Sequence, residues 1–273
     1  MTPGLLSGRL SRGPSEQTVT ELETRLQESL NSDKAVQYRL QPGGPVVHDS
    51  GDRQQHGTDA SLAVVTNHRL LFVVADDETT VLDVSHTAIR ETDLDSGLFT
   101  TALIVGTWEA GRYSFRPTGE EIAAAVEYIE RASDCWQFVE TLLQELESHT
   151  ERIQTAIKER EFQTVDTVLD EAGETTDELD DRVEAAGLES ALGERVAAAR
   201  RNLQQARVQT RCELARSLVD EASSSHLKGD PDYTGAYDRY DRAREQLSTA
   251  RAIAAEHDLD TGAVDDAFDL VET

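Results

Sequence analysis

Residues 62–116 read LAVVTNHRLLFVVADDETTVLDVSHTAIRETDLDSGLFTTALIVGTWEAGRYSFR, the one long β-type passage in the chain. Apolar residues alternate along it: Leu70, Phe72 and Val74, then Leu98, Ala102 and Ile104, then Tyr113 and Phe115. A period of two marks strands with one buried side. Asn67–His68 forms a tight turn between strands at 62–66 and 69–75. Residues 76–78 turn into a strand at 79–84. Strands at 98–107 and 111–116 then make a hairpin over Glu109 and Ala110. Upstream, Val36, Tyr38 and Leu40 alternate with Gln37, Arg39 and Gln41, and Val46–Val47 starts a further strand. About seven closely spaced strands predict an antiparallel sandwich or barrel.

Around this passage the patterns change. Residues 1–34 read as a loose arm followed by a short helix. Thr18 and Glu21 stand at capping-box spacing there, and Val19, Leu22 and Leu26 share one face. The helix reads as an arm that packs on the β region. The stretch 49–60, polar and bearing glycine, reads as a loop. After Pro117, with Thr118 and Glu121 again at capping-box spacing, a helix opens and one apolar stripe continues in steps of three and four. Its members are Ile122, Ala125, Ile129, Ala132, Trp136, Val139, Leu143, Leu146, Thr150, Ile153 and Ile157. That seam wants a partner, either later helices of the same chain or a second copy in a coiled coil. The later stripes, among them Val196-Ala199-Leu203-Ala206 and Tyr233-Ala236-Tyr240-Ala243, favour folding back into a monomeric bundle over a coiled-coil dimer. Breaks at Gly173, Gly187 and 226–231 predict four or five helices. The expected class is α+β: a β domain at 35–132 capped by its own helix, then an all-α bundle at 133–273. The helix after Pro117 is expected to cap the sheet with its first turns and to join the bundle through Trp136.

Composition bounds the partners. Acidic residues number 53 against 26 basic, a net charge of −27, and only Lys34, Lys158 and Lys228 are lysine. Such a charge suits molar salt, where the Debye length falls to about 3 Å and self-repulsion is screened. It also repels phosphate backbones, and no basic run offsets it, so nucleic acid is not an expected partner. Cys135 and Cys212, both in helical pattern, read as buried thiols in a reducing compartment. With no hydrophobic run near the ~20 residues of a membrane span and no apolar leader at the N-terminus, the expected location is the cytoplasm of a high-salt cell.

The run from Leu62 to Val73, with Thr66-Asn67-His68-Arg69 at its turn, resembles bacterial and archaeal pleckstrin-homology-like domains related to GRAM domains. Those carry an apolar strand, a Thr-Asn/Asp-x-Arg turn and a second strand of Leu-Leu-Phe type. Val84-Ser-His-Thr-Ala-Ile89-Arg-Glu is similar to their next signature, where an Ile opens a new strand. Over 35–132 the resemblance implies a seven-stranded bent sheet closed by one C-terminal helix. Phosphoinositide-binding members use basic residues on the first hairpin. Here that hairpin offers Arg39, with Arg53 beyond it and no lysine pair, while Arg69, Arg90, Arg112 and Arg116 are the other arginines able to converge. The segment 229–243 is similar to the second helix of a tetratricopeptide repeat.

Catalytic chemistry finds no support in the residues. The seven histidines form neither a His-x3-His pair nor a pattern with Cys-x2-Cys, and no phosphate loop or nucleophile elbow occurs. No metal, cofactor or catalytic residue is therefore assigned, and an enzyme is not expected. His48 and His56 read as solvated loop residues and Asp76-Asp77-Glu78 as a hairpin tip. Trp136 reads as core. Trp108, near the tip of the last hairpin, packs under the C-terminal helix or else contacts a partner. The candidate partner or ligand surface comprises Arg39, Arg69, Arg90, Trp108, Arg112 and Arg116, and the expected function is a non-catalytic adaptor for protein partners. The alternative is a peripheral module that reads a lipid headgroup.

Overall fold

In the computed structural model, which describes residues 16–30, 35–51, 53–56, 60–75, 79–97, 101–117, 119–226 and 232–272, the chain divides into the units Met1–Gln137 and Phe138–Thr273. The first unit holds helix α1 (Glu16–Ser29) and nine strands: β1 (Val36–Gly43), β2 (Val46–Asp49), β3 (Arg53–His56), β4 (Ser61–Thr66), β5 (Arg69–Val74), β6 (Thr80–Ser85), β7 (Ile89–Ser96), β8 (Thr101–Thr107) and β9 (Arg112–Phe115). They form two antiparallel sheets, ordered β1-β4-β5-β6 and β3-β2-β9-β8-β7. The helices after them are α2 (Ile122–Glu159), α3 (Phe162–Ala186), α4 (Glu189–Glu221), α5 (Tyr233–Glu256) and α6 (Gly262–Glu272). Strands followed by helices make the chain α+β, as its patterns predict.

The organising passage is buried on both faces, where alternation predicts one wet side. Every residue of β4 is buried, as is every residue of β5 after Arg69. One face meets the second sheet, where the Phe72 ring lies 5.8 Å from Tyr113 and 5.9 Å from Phe115. The other face is covered by α1, whose Leu22 and Leu26 pack with Leu62, Val64, Leu71 and Val73. The runs LAVV and LLFVV are near-continuous apolar stretches, the mark of a doubly covered strand. α1 already includes Thr18, which therefore stands inside the helix and does not cap it.

Two strands escape the alternation rule for a shared reason. The sequence of β3, RQQH, carries no apolar residue, and β7, IRETDLDS, is largely exposed. They are the two edges of the five-stranded sheet, where polar and charged residues block pairing with other chains. Thus part of the expected 49–60 loop is strand, and the chain has nine described strands where seven were expected. The expected turn at 76–78, Leu98 and Thr118 lie outside the described residues, as do residues 1–15 of the expected arm.

α2 begins at Ile122 and runs unbroken to Glu159, with Arg160 taking the left-handed conformation (φ 60°) that ends it. The first turns close over the β unit: Ile122, Ala125, Ile129, Ala132 and Trp136 are buried. Further along, the seam departs from the predicted line. Val139, Leu146 and Ile153 remain buried, but their buried companions are Leu142, His149 and Ala156. The expected Leu143 and Ile157 are half-buried, and Thr150 is exposed. Alternate members of the stripe thus stand one position earlier than predicted, at Leu142, His149 and Ala156, and the histidine among them is invisible to a hydrophobic pattern. α3 passes through Gly173 without a break. A Cβ at that glycine would stand 3.1 Å from the Arg207 guanidinium, so the glycine makes room for a neighbouring side chain. Gly187, at φ 67°, does end α3, its left-handed conformation costing nothing without a Cβ. The second half of α4 (Val208, Cys212, Ala215, Leu218) builds a core with Ala243, Leu247, Ala250 and Ala254 of α5 and with α6. Tyr233, expected on the buried stripe of α5, is 71% exposed, and burial begins at Ala236.

Candidate functional site

The β4–β5 turn is where local sequence and long-range contacts meet. The Thr66 hydroxyl accepts the backbone N–H of His68 (3.2 Å) and of Arg69 (3.0 Å), which tightens the two-residue turn. Asn67 fastens β1: its N–H donates to the Ala35 carbonyl and its side-chain oxygen accepts the Ala35 N–H, both at 3.1 Å. Two side chains from outside the turn take its carbonyls. Trp136 donates its indole N–H to Asn67 at 3.0 Å, and His86 meets the Thr66 carbonyl at 2.9 Å. A carbonyl only accepts, so Nε2 of His86 carries the proton, and Nδ1 accepts from the Ser133 hydroxyl at 3.4 Å. Burial holds this imidazole neutral, its pKa lowered from 6.5 to about 4. Trp136, expected to link α2 to the bundle, is instead spent on the β unit, since its one N–H finds its acceptor there. The Thr-Asn-x-Arg signature is thus a structural latch.

Of the six residues of the candidate surface, Arg39 and Arg69 lie in the first sheet, whereas Arg90, Trp108 and Arg112 lie around the paired ends of β7, β8 and β9 in the second. Arg39 pairs with Glu23 of α1 at 2.6 Å. Arg69 forms an ion pair with Asp83 and donates to the Ser29 carbonyl at the end of α1 (3.3 Å). These two arginines hold α1 against the first sheet. Arg90 pairs with its neighbour Glu91 at 2.9 Å. Arg112 and Arg116 are exposed on β9 and just beyond it, in the second sheet. Trp108 stands at the β8–β9 tip and is 62% exposed, so it does not pack under the closing helix. Its backbone is fixed all the same: its N–H donates to Ala88 (3.1 Å), and the Thr107 hydroxyl bonds Gly111 (2.9 Å) and Ala110 (3.0 Å) within the turn. Beside it, His48 of β2 stacks on Tyr113 with ring centroids 4.4 Å apart and bonds the Ala110 carbonyl. His48 is therefore a strand residue, and the side chain of His56 lies outside the described residues.

Among the described residues no group of three or more His, Cys, Asp or Glu is placed to hold a metal ion, and no helix is long and apolar enough to cross a membrane. Both cysteines are buried and unbridged. Within the helical unit a cleft of about 450 Å³ lies between α2 and α4. Its end is closed by Arg195 and Glu140, paired through two hydrogen bonds of 2.6 and 3.1 Å, and Arg195 holds the Glu140 carboxyl below its usual range. Sequence reading missed this cleft because the residues lining it, Leu143, Thr150, Ala199 and Ala206, look like ordinary members of a bundle seam. Compared with protein-family models and with curated proteins, the chain matches none.

Proposed function

We propose that the chain is a non-catalytic adaptor, with the β unit and the helical unit each offering a surface to a protein partner. The observation that carries this reading is Trp108: a large aromatic, mostly exposed, on a hairpin tip whose backbone is held by four hydrogen bonds. A rigid, desolvatable indole at a protruding tip is the kind of residue that dominates protein interfaces. The order of elements, an antiparallel sandwich closed by the first turns of α2, supports the resemblance to pleckstrin-homology-like and GRAM-related domains. The alternative of a lipid headgroup is disfavoured by the pairing of Arg39, Arg69 and Arg90 with carboxylates, which leaves no shared cationic pocket among them. The charge of −27 suits work in a high-salt cytoplasm.

Affinity capture from the native cytosol at molar salt tests the proposal, using wild-type protein and Trp108→Ala. A specific protein held by the wild type and released by the variant is the expected result. Co-sedimentation with anionic vesicles at the same salt, lost on Arg112→Gln and Arg116→Gln and indifferent to Trp108→Ala, would replace the adaptor reading with the headgroup one.

A further inference from the structure

α2 and α4 run in the same direction through the helical unit, tied near one end by Glu140–Arg195 (2.6 Å) and near the other by Arg160–Asp220 (3.3 Å). α3 joins them by a return path, and its Ala172 also lines the cleft. The cleft walls are Leu143, Leu146 and Ile153 on α2 and Ala199, Leu203 and Ala206 on α4. α5 packs antiparallel on α4, through Arg239–Glu221 and Arg211–Gln246, but no residue of α5 or α6 lines the cleft, so the groove between α2 and α4 is open to a further helix running against both.

Three dimensions agree with that occupant. The α2 wall extends from Glu140 to Ile153 and the α4 wall from Arg195 to Ala206, about 20 Å and about 17 Å at 1.5 Å per residue, or three helical turns. The volume of about 450 Å³ holds about three large aliphatic side chains at interior density, the number that positions i, i+3 or i+4, and i+7 supply over two turns. Alanines at 199 and 206 lie seven residues apart on α4 and leave hollows for such knobs. The polar rim then selects the flank of the incoming helix. Glu140 and Arg195 cancel each other, and Glu147, exposed, leaves the α2 side negative beside the neutral Gln144 and Asn202. In a chain of net charge −27 an acidic helix, a second copy included, is repelled. We infer that this groove receives an amphipathic helix of a partner protein, about three turns long, with three aliphatic anchors and lysine or arginine on its flanks. The inference rests on the adaptor reading and gives its helical half a site and a ligand chemistry.

The probe is a fluorescein-labelled synthetic helix of about five turns carrying leucine at i, i+3, i+7 and lysine on its flanks. Its comparison peptides are a scrambled one of the same composition and one with glutamate for lysine. Fluorescence anisotropy on the full chain at 1 M KCl, where the Debye length is about 3 Å, is expected to show the amphipathic helix binding at least tenfold more tightly than the scrambled peptide. Ala199→Phe and Ala206→Phe, which fill the hollows, each weaken binding at least tenfold. At 0.1 M KCl the lysine peptide exceeds the glutamate peptide at least tenfold. Should the phenylalanine variants lose helix content, hydrogen exchange on the wild type decides instead, with peptide-induced protection expected over 143–153 and 198–206. Equal binding of the scrambled peptide, indifference to the groove variants, or protection elsewhere overturns the inference. So does a sedimenting dimer that Ala199→Phe converts to monomer, since the groove would then hold a second copy. Failure of the peptide with Trp108-dependent capture intact removes the groove alone; failure of both removes the adaptor reading as well.

Discussion

His86, Asn67 and Trp136 show how single polar groups fasten a β unit to its closing helix. Each is buried, and each satisfies a backbone group at the β4–β5 turn or beside it. Asn67→Ala leaves the Ala35 N–H without its acceptor, and a loss of about 1–3 kcal/mol is expected in urea unfolding. His86 adds a pH dependence with a definite sign. Its folded pKa of about 4 lies below the ordinary 6.5, so the folded chain binds fewer protons than the unfolded chain does. Its contribution is therefore complete above pH 6.5, declines as pH falls through that value toward 4, and is flat below. The full difference corresponds to at most about 3 kcal/mol. Unfolding of wild type and His86→Gln, measured from pH 7.5 to 4, checks this. The glutamine variant, which cannot charge, is expected to lose less stability across that interval.

At the scale of elements, covering a sheet on both faces makes α1 a part of the fold. Leu22 is fully buried against the first sheet, and Leu22→Ala is expected to cost about 2–5 kcal/mol, a core-sized penalty, by thermal or chemical unfolding. A cost near zero would mean that α1 only rests on the surface. The β8–β9 hairpin depends on a different device. Gly111 sits at φ +86°, and a Cβ there would collide with the Asp49 carbonyl oxygen and stand 2.8 Å from Ser50 Cα. Backbone cannot yield as a side-chain tip can, so Gly111→Ala is expected to cost more than about 2 kcal/mol and to disturb the Trp108 tip. Circular dichroism and the Trp108 emission maximum, read in a Trp136→Phe background, report both effects. Gly173 differs in kind: its close neighbour is the movable end of Arg207, and the helix continues through it.

For the whole molecule charge matters most. With −27 on 273 residues, compactness works against self-repulsion, and salt relieves it as the Debye length shrinks from about 10 Å at 0.1 M to about 3 Å at 1 M. The melting temperature is expected to rise by several degrees between 0.1 and 2 M KCl, measured by scanning calorimetry. A flat response would show that the arginine–carboxylate pairs already offset the repulsion at low salt. Those pairs are spread over both units, from Arg39–Glu23 to Arg251–Asp265, and most are solvent-exposed, where each contributes less than about 1 kcal/mol. Their collective effect is to use up cations that the sequence offers as a binding surface.

Local pattern determined much of this protein. The alternation of residues 62–116, the tight turn at Asn67–His68 and the change to a 3.6-residue period after Pro117 are properties of neighbouring residues, and they hold whatever the remote chain does. They specify strands first, helices after, and the break at Gly187. Tertiary structure decided what depends on partners far apart in sequence. It placed α1 over β4 and β5, and it gave the strands β3 and β7 to the sheet edges, where no apolar face is required. It put His149 into the α2 seam, and it set Leu143 and Thr150 on the wall of the cleft. It also spent Arg39 and Arg69 on α1 and Trp136 on a turn carbonyl 69 residues away. A periodicity records that a face will be buried, but which group meets a guanidinium or an indole N–H is a matter of three-dimensional proximity.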